Sequence, residues 1–202
     1  GMGVVYAARQ SSVDRIVALK MVKPEIAGDL ELREKFLAEA VVTGDLDHPN
    51  IVPIYDVGSD AQNALFYSMK RVQGTPWESV ISRLPLEENL DVLMKVADAI
   101  AFAHSRNVLP RDLKPGNVML GEFGEVLVMD WGLACSVPGA DRPGKAEMLT
   151  PGTSVGGTPA YMAPEMAHPN KGPLGTHSAI YLLGALLFEV VTGKFPHTGR
   201  NA

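Results

Sequence analysis

The segment Arg111-Asp112-Leu113-Lys114-Pro115-Gly116-Asn117 determines what we expect of the rest of the chain. It places a carboxylate, an ammonium and a carboxamide at fixed offsets within one turn-rich stretch. Asp112 can accept the proton of an attacking hydroxyl, and Lys114 can neutralise charge on a moving phosphoryl group. The side-chain oxygen of Asn117 suits a hard cation such as Mg²⁺. The alternative is a polar turn, closed by Pro115 and Gly116, between two apolar runs.

Three further motifs accompany this segment in a fixed order. Val17-Ala18-Leu19-Lys20 ends a β-branched run upstream, and Asp130-Trp131-Gly132 follows the apolar run 126–129 downstream. Gly157-Thr158-Pro159-Ala160-Tyr161-Met162-Ala163-Pro164-Glu165 closes a stretch rich in Pro, Gly, Ser and Thr. Together the four motifs resemble the protein kinase family, and the Lys two positions after the Asp resembles its serine/threonine branch. The bacterial eukaryotic-like (Hanks-type) kinases are the group that the chain resembles.

The resemblance implies an α+β fold with two lobes, truncated at both ends. The N-lobe would be residues 1–69, a small antiparallel β-sheet with one helix, followed by a hinge at 70–74 and a mainly helical, incomplete C-lobe at 75–202. A kinase catalytic domain has about 250–300 residues, and only the tail of its glycine-rich loop, ending in Gly3 and Val5, is present here. We therefore expect additional domains in a longer protein.

The resemblance also implies an ATP site with Mg²⁺. Asp112 would be the catalytic base, Lys114 the charge stabiliser, and Asn117 and Asp130 the metal ligands. Lys20 would contact the α- and β-phosphates and pair with Glu39. The other residues expected around the nucleotide are Gly3, Val5, Ala18, Met69, Lys70, Val72 and Met119.

Within that group, Met69 would be the gatekeeper, while backbone groups of Lys70 and Val72 would bond the edge of the adenine. The apolar members sandwich the ring in this interpretation, although spacing alone does not distinguish them from ordinary core residues.

Residues 134–157 have no apolar period and are typical of an exposed loop. By resemblance this is the activation segment, in which Thr150, Thr153 and Ser154 are candidates for phosphorylation. Arg111 would receive the phosphate, and Thr158 would contact Asp112 and Lys114.

Three positions depart from the family pattern. Trp131 stands where Phe is usual, Pro110 where His is usual, and Ala179 where an Asp normally accepts backbone N–H bonds from the catalytic loop. Pro110 has no N–H to donate, so the loss of this donor matches the loss of the carboxylate acceptor at position 179. Glu165 is expected to have no partner, because the Arg that pairs with it lies beyond this stretch. The departures leave open a pseudokinase-like module that binds nucleotide or partners, or an inactive truncated fragment.

Periodicity predicts the individual elements. We expect a hairpin from 4–8 and 16–20, a helix from Asp29 to Gly44, and strands beginning at 48–52 and spanning 64–69. A helix at 89–106 should bury the stripe Leu90, Leu93, Ala97, Ile100, Ala101 and His104. A second, buried helix should span 179–191. The residues of that helix expected to lack cover are Leu182, Leu183, Leu186, Leu187 and Val190.

Composition excludes several classes of protein. The chain is 46% hydrophobic and 20% charged with a net charge of −5, so it can form a core and lacks the dense Lys/Arg block of a nucleic-acid or membrane-surface binder. The single cysteine, Cys135, excludes an intrachain disulfide framework. The longest apolar run is too short to span a bilayer. We expect a cytoplasmic protein, or the cytoplasmic domain of a membrane-anchored one, acting on Ser or Thr of a protein substrate.

Overall fold

The computed structural model describes residues 3–26, 28–137 and 156–198. The N-terminal part contains an antiparallel sheet with the spatial order β1-β2-β4-β3. Its strands are β1 (Gly3–Gln10), β2 (Arg15–Val22), β3 (Ile54–Ser59) and β4 (Leu65–Lys70). The first two form the expected hairpin, in which Val5 lies opposite Lys20.

One helix, α1 (Leu30–Asp45), packs on this sheet. Asp29 caps it, since its Oδ1 accepts the N–H of Leu32 at 3.1 Å. Its buried face includes Phe36, whose ring lies 5.2 Å from that of Tyr67 on β4. The helix passes through Gly44, where we had expected it to stop, because the packing of this face outweighs the low helix propensity of one glycine.

The segment 48–52 is not the beginning of a strand of this sheet, so that prediction was wrong. Its backbone turns toward the C-terminal half of the chain. The N–H of Val52 donates to the carbonyl of Val128 at 3.1 Å, and the N–H of Val128 donates to the carbonyl of Asn50 at 2.9 Å. Because these groups are already paired with the other half, the segment links the two parts of the molecule and strand β3 begins only at Ile54.

Two small sheets follow the connection at 70–74. One has the order β5-β7-β8, and the other pairs β6 with β9. Their strands are β5 (Gly74–Pro76), β6 (Val108–Leu109), β7 (Val118–Gly121), β8 (Val126–Val128) and β9 (Cys135–Ser136). The segment 110–117 lies between β6 and β7, and the motif at 130–132 lies between β8 and β9. The small sheets therefore set the separation of these two motifs.

Helices α2 (Leu86–Ser105), α3 (Pro164–Ala167) and α4 (Thr176–Thr192) complete the described C-terminal part. The face predicted for α2 was wrong: of that stripe only Ile100 is buried, and the buried residues are Asn89, Val92, Val96, Ala99, Ile100 and Ala103. Asn89 sets this rotation, because its side chain accepts from Trp77 Nε1 at 2.7 Å and donates to the carbonyl of Ile81 at 2.9 Å. A buried amide with its bonds satisfied is stable there.

The burial of α4 also differs from our expectation. Leu182 and Leu186, expected to lack cover, are almost completely buried, because α2 packs against the face that they share with Ala179. The large hydrophobic residues of the helix that stay exposed are Ile180, Tyr181, Leu187, Phe188 and Val191. The helix is therefore half-buried and not enclosed.

The fold class is α+β, as expected, with the antiparallel sheet in the N-terminal part and the long helices mostly in the C-terminal part. In the described ranges, no helix has the length and apolar character required to cross a membrane.

Candidate active site

Lys20 and Glu39 form an ion pair between strand β2 and helix α1. The Lys20 Nζ donates to Glu39 Oε1 at 2.7 Å, and both side chains are largely buried. Removing two charges from water is costly and is offset only by close geometry and further hydrogen bonds. A pair buried in this way holds the ammonium of Lys20 at a defined point on the sheet.

Several expected nucleotide contacts share the face of the sheet that carries Lys20. Val5 lies directly opposite Lys20, and Ala18 lies opposite both Ala7 and Met69. Directly opposed residues point to the same side of a sheet, and residues two apart on one strand do so as well. Val5, Ala18, Lys20 and Met69 therefore form one surface. Ala18 is buried, whereas Val5 is 52% exposed, as expected for side chains that line an open cleft.

Gly3 lies at the end of this surface, next to Lys20. A Cβ at Gly3 would lie 2.8 Å from the carbonyl oxygen of Met21 and 3.0 Å from Cγ of Lys20. The backbone therefore approaches the lysine stem more closely than a larger residue allows.

The residues expected at the adenine edge are only partly brought together by the described contacts. Lys70 ends β4, its N–H donates to the carbonyl of Pro53 at 3.1 Å, and its ammonium pairs with Glu125. A bond from the Lys70 backbone to a ligand therefore has to use its carbonyl. Val72 is partly buried between β4 and β5. Met119 is also partly buried and lies opposite Pro76 in the second sheet.

The Asp112 carboxylate is held by three neighbours. Lys114 Nζ lies 2.9 Å from Asp112 Oδ2. The hydroxyl of Thr158 donates to Asp112 Oδ1 and accepts from Lys114 Nζ at 2.8 Å. Asn117 Nδ2 donates to the Asp112 carbonyl at 2.8 Å and to its Oδ2 at 3.2 Å. The 3₁₀ turn Pro115–Asn117 brings Asn117 back to Asp112 in this way.

These contacts keep Asp112 ionised. Burial by itself raises the pKa of Asp112, but the hydrogen bonds from Thr158, Lys114 and Asn117 and the Lys114 charge outweigh it and lower the pKa below its usual value. At neutral pH the carboxylate is therefore a hydrogen-bond acceptor.

Asn117 and Asp130 offer oxygen atoms suited to Mg²⁺. Both hydrogen bonds from the Asn117 amide to Asp112 use its nitrogen, so its Oδ1 is oriented away from Asp112 and can serve as a ligand. The N–H of Met129 donates to the Asn117 carbonyl at 2.9 Å and ties the two segments together. Asp130 is exposed. One carboxylate and one amide oxygen fit a Mg²⁺ ion, which usually takes few protein ligands and completes its shell with phosphate and water.

Glycines at 132 and 157 permit two close approaches in the site. A Cβ at Gly132 would lie 2.9 Å from Glu39 Oε2 and 3.1 Å from Asp130 Oδ1, so the segment after Asp130 rests against the carboxylate that pairs with Lys20. Gly157 has φ 128°, and a Cβ there would lie 2.5 Å from the carbonyl oxygen of Arg111. Only glycine adopts this conformation readily at such a distance.

Arg111 is buried beside the described end of the loop. Its Nε donates to the carbonyl of Leu133 at 2.7 Å, and a Cβ at Gly156 would lie 3.5 Å from its Nη1. The phosphorylation candidates Thr150, Thr153 and Ser154 lie outside the described residues.

The unusual positions have defined surroundings. Pro110 and Ala179 are both buried. Trp131 is buried as well, and its indole Nε1 has no hydrogen-bond partner within the described ranges. The expectation that Glu165 has no partner was wrong, because His177 Nε2 lies 3.6 Å from Glu165 Oε1. The early turn of α4 brings this histidine to the carboxylate.

Sequence reasoning missed Tyr67. Its hydroxyl donates to Glu39 Oε1 at 2.8 Å, the same oxygen that accepts from Lys20. Burial, then the Glu39 charge and the bond to Glu39, raise the pKa of Tyr67 far above its usual value. A tyrosine at the position of β4 that opposes Lys20 was the available signal, but it required the strand register.

Comparison with known proteins agrees with this geometry. The family model described as "Protein kinase domain" matches residues 1–202. The chain is 35% identical to serine/threonine-protein kinase PknD of Protochlamydia amoebophila over 97% of the chain and 22% of that protein. It is 34% identical to PknD of Chlamydia trachomatis serovar D, over 100% of the chain and 24% of that protein. For PknD of Chlamydia muridarum the identity is 35% over the same shares. The chain thus spans about a quarter of the length of these curated relatives.

Proposed function

The chain belongs to the protein kinase domain family, and from this premise we propose that it transfers the γ-phosphate of ATP to a Ser or Thr hydroxyl of a protein. The members of this family use ATP with Mg²⁺. The serine/threonine assignment is supported by the names of the relatives and by Lys114 two residues after Asp112.

The observation that carries the proposal is the environment of Asp112. Its carboxylate is ionised, and Thr158, Lys114 and Asn117 fix both of its oxygens. We propose that it accepts the proton of the attacking hydroxyl while Lys114, 2.9 Å away, offsets charge on the transferring group. A base fixed before substrate arrives needs little reorganisation during the reaction.

The nucleotide would lie on the face of the sheet that carries Lys20, with Val5, Ala18 and Met69 around the base. Mg²⁺, when bound, supplies charge neutralisation for the phosphates, and Asn117 and Asp130 would hold it. The Glu39 pair restrains Lys20 toward the α- and β-phosphates. Gly3, Met119 and backbone groups of Lys70 and Val72 would complete the enclosure. With the nucleotide bound at this position, the chain would divide into an N-lobe at 1–69, a hinge at 70–74 and a C-lobe at 75–202.

We further propose that Arg111 receives a phosphate carried by Thr150, Thr153 or Ser154, since its guanidinium lies beside Gly156. The remaining length of the relatives supports additional domains and protein partners beyond this chain. Because ATP is an intracellular cosubstrate, we place the domain in the cytoplasm, either free or attached to a membrane-anchored protein.

The test compares the parent with Asp112→Asn and Asp130→Ala. Purified protein is incubated with Mg-ATP carrying a labelled γ-phosphate and a library of Ser- and Thr-containing peptides, and phosphorylated residues are identified by mass spectrometry. We expect Ser/Thr phosphorylation by the parent and a loss of at least about 10²-fold in Asp112→Asn, since general-base contributions are of this size. Asp112→Asn should retain Mg-ATP binding in a thermal-shift assay.

Asp130→Ala should instead lose the part of the thermal shift that depends on Mg²⁺. Equal stabilisation of the parent and Asp130→Ala would contradict the metal assignment. Nucleotide binding with no phosphotransfer by the parent would contradict the enzyme proposal. That result would favour the pseudokinase-like module that Pro110 and Ala179 leave open.

A further inference from the structure

Tyr67 completes a buried polar cluster with Lys20 and Glu39. Its side chain is 3% exposed, its hydroxyl lies 2.8 Å from Glu39 Oε1, and its ring centroid lies 5.5 Å from Lys20 Nζ. Tyr67 is directly opposite Lys20 in the register of β2 and β4. The contact between Tyr67 and Lys20 therefore follows from the pairing of the two strands and not from a flexible side chain that extends across a surface.

The two donors share one oxygen of the carboxylate. Glu39 Oε1 accepts from Lys20 and from Tyr67, whereas Oε2 is buried and has no hydrogen-bond partner among the described residues. If Lys20 were the only donor to Glu39, the group that holds the carboxylate would also be the group that has to bind the ligand. Tyr67 holds the carboxylate from a second direction. The hydrogen bond from its hydroxyl to a charged acceptor is stronger than a hydrogen bond between two neutral groups.

Apolar packing does not account for this hydroxyl. The ring of Tyr67 packs against Phe36 with centroids 5.2 Å apart, a contact that Phe at position 67 would make equally well. A phenol O–H is costly to bury without a partner. Here its partner is the carboxylate that positions the predicted phosphate-binding lysine, and its raised pKa keeps it a proton donor at all physiological pH values.

We propose that Tyr67 is a positioning residue for nucleotide phosphates: its hydroxyl holds Glu39 so that Lys20 presents its ammonium to the phosphates. This inference rests on the proposed function, because it needs a nucleotide at the Lys20 face. Loss of the Tyr67 hydroxyl should therefore weaken the binding of the phosphates and leave the binding of the base unchanged.

The experiment compares two ligands that share adenosine and differ in the diphosphate with its Mg²⁺. Dissociation constants of Mg-ADP and of adenosine are measured by calorimetry for the parent, Tyr67→Phe and Tyr55→Phe. Tyr55 is a matched control, because it is a 37% exposed tyrosine of the same sheet whose ring centroid lies 3.7 Å from Cζ of Arg15. We expect Tyr67→Phe to weaken Mg-ADP about tenfold, the effect of losing a hydrogen bond to a charged group, and to change adenosine affinity less than about twofold.

A merely structural role would weaken both ligands together, and that result would overturn the inference, as would unchanged affinity for both. Glu39→Gln supplies the second measurement. If Tyr67 acts through Glu39, then Tyr67→Phe should have less than about a twofold further effect on Mg-ADP in the Glu39→Gln background. Independent effects in the two variants would also overturn it.

Failure of the proposed function is visible separately. A parent that binds both ligands but transfers no phosphate removes the kinase proposal, while the difference between Mg-ADP and adenosine still supports the role of Tyr67. A parent that binds neither ligand overturns both.

Discussion

Replacing Thr158 with Val tests the Asp112 network directly. The change keeps the shape of the side chain and removes one hydroxyl, which donates to Asp112 Oδ1 and accepts from Lys114 Nζ. Hydrogen bonds to charged groups contribute about 1.5–3 kcal/mol each. The Asp112 and Lys114 side chains are 14% and 30% exposed, so water replaces part of what is lost. We expect Thr158→Val to lower the free energy of unfolding by about 2 kcal/mol.

The same change should alter the dependence of stability on pH. The pKa of Asp112 is lowered in the folded state, partly by Thr158. This lowering contributes stability that is present above the unfolded carboxyl pKa, about 3.9, and is lost as the pH falls through the folded value. Without the hydroxyl the folded pKa rises toward the unfolded one. The stability difference between parent and variant should therefore be full at pH 7 and shrink on acidification below about pH 4.

The assay is urea unfolding at several pH values, combined with thermal melts. For a chain of this size, 2 kcal/mol corresponds to a fall in Tm of about 4–8 °C. Thr158→Ser is the control, because it keeps the hydroxyl and loses only a methyl group, and it should remain within about 2 °C of the parent. A Thr158→Val variant as stable as the parent would refute the reasoning. So would a stability difference that does not change between pH 7 and pH 3.

Three further predictions concern other regions. Gly157→Ala should destabilise by more than about 3 kcal/mol in urea unfolding, because it combines positive φ with a Cβ 2.5 Å from a backbone oxygen; a loss under 1 kcal/mol would contradict it. Pro110→His and Ala179→Asp, each made alone, should leave the free energy of unfolding nearly unchanged or lower it. Made together, they should show a favourable coupling of about 1–3 kcal/mol in a double-mutant cycle of unfolding free energies. Effects that add within about 0.5 kcal/mol would show that the two sites are independent. The exposed apolar face of α4 should make the 202-residue chain associate at micromolar concentration; Ile180→Lys with Phe188→Lys should reduce the mass measured by light scattering, and an unchanged mass or a monomeric parent would contradict it.

The motif proposed to carry the catalysis could be predicted from the sequence because its chemistry is local. Asp112, Lys114 and Asn117 lie within six consecutive residues, and a short turn is enough to bring their side chains together. The hairpin of β1 and β2 was equally accessible, since a period of two and a polar turn specify an antiparallel pair. The capped start of α1 followed from Asp29 for the same local reason.

The rotation of the helices was not accessible in this way. On α2 apolar residues occur around much of the circumference, so periodicity did not identify the face that packs. The structure buries Asn89 because Trp77 and two backbone carbonyls satisfy its amide, and this polar anchor turns Leu90 outward. On α4 the partner helix likewise selected the face of Leu182 and Leu186, which the chain alone does not reveal.

The sequence by itself determined the family, the order of the motifs and the residues that carry the proposed chemistry. Only the tertiary structure decided which distant groups meet: Thr158 with Asp112, His177 with Glu165, and Tyr67 with Glu39. The physical reason is that motif chemistry depends on residue type and short spacing, whereas these contacts depend on strand register and on the docking of separate elements. A register is set by the sum of many pairings along two strands. The partner of a single residue such as Tyr67 therefore cannot be predicted from the type of that residue.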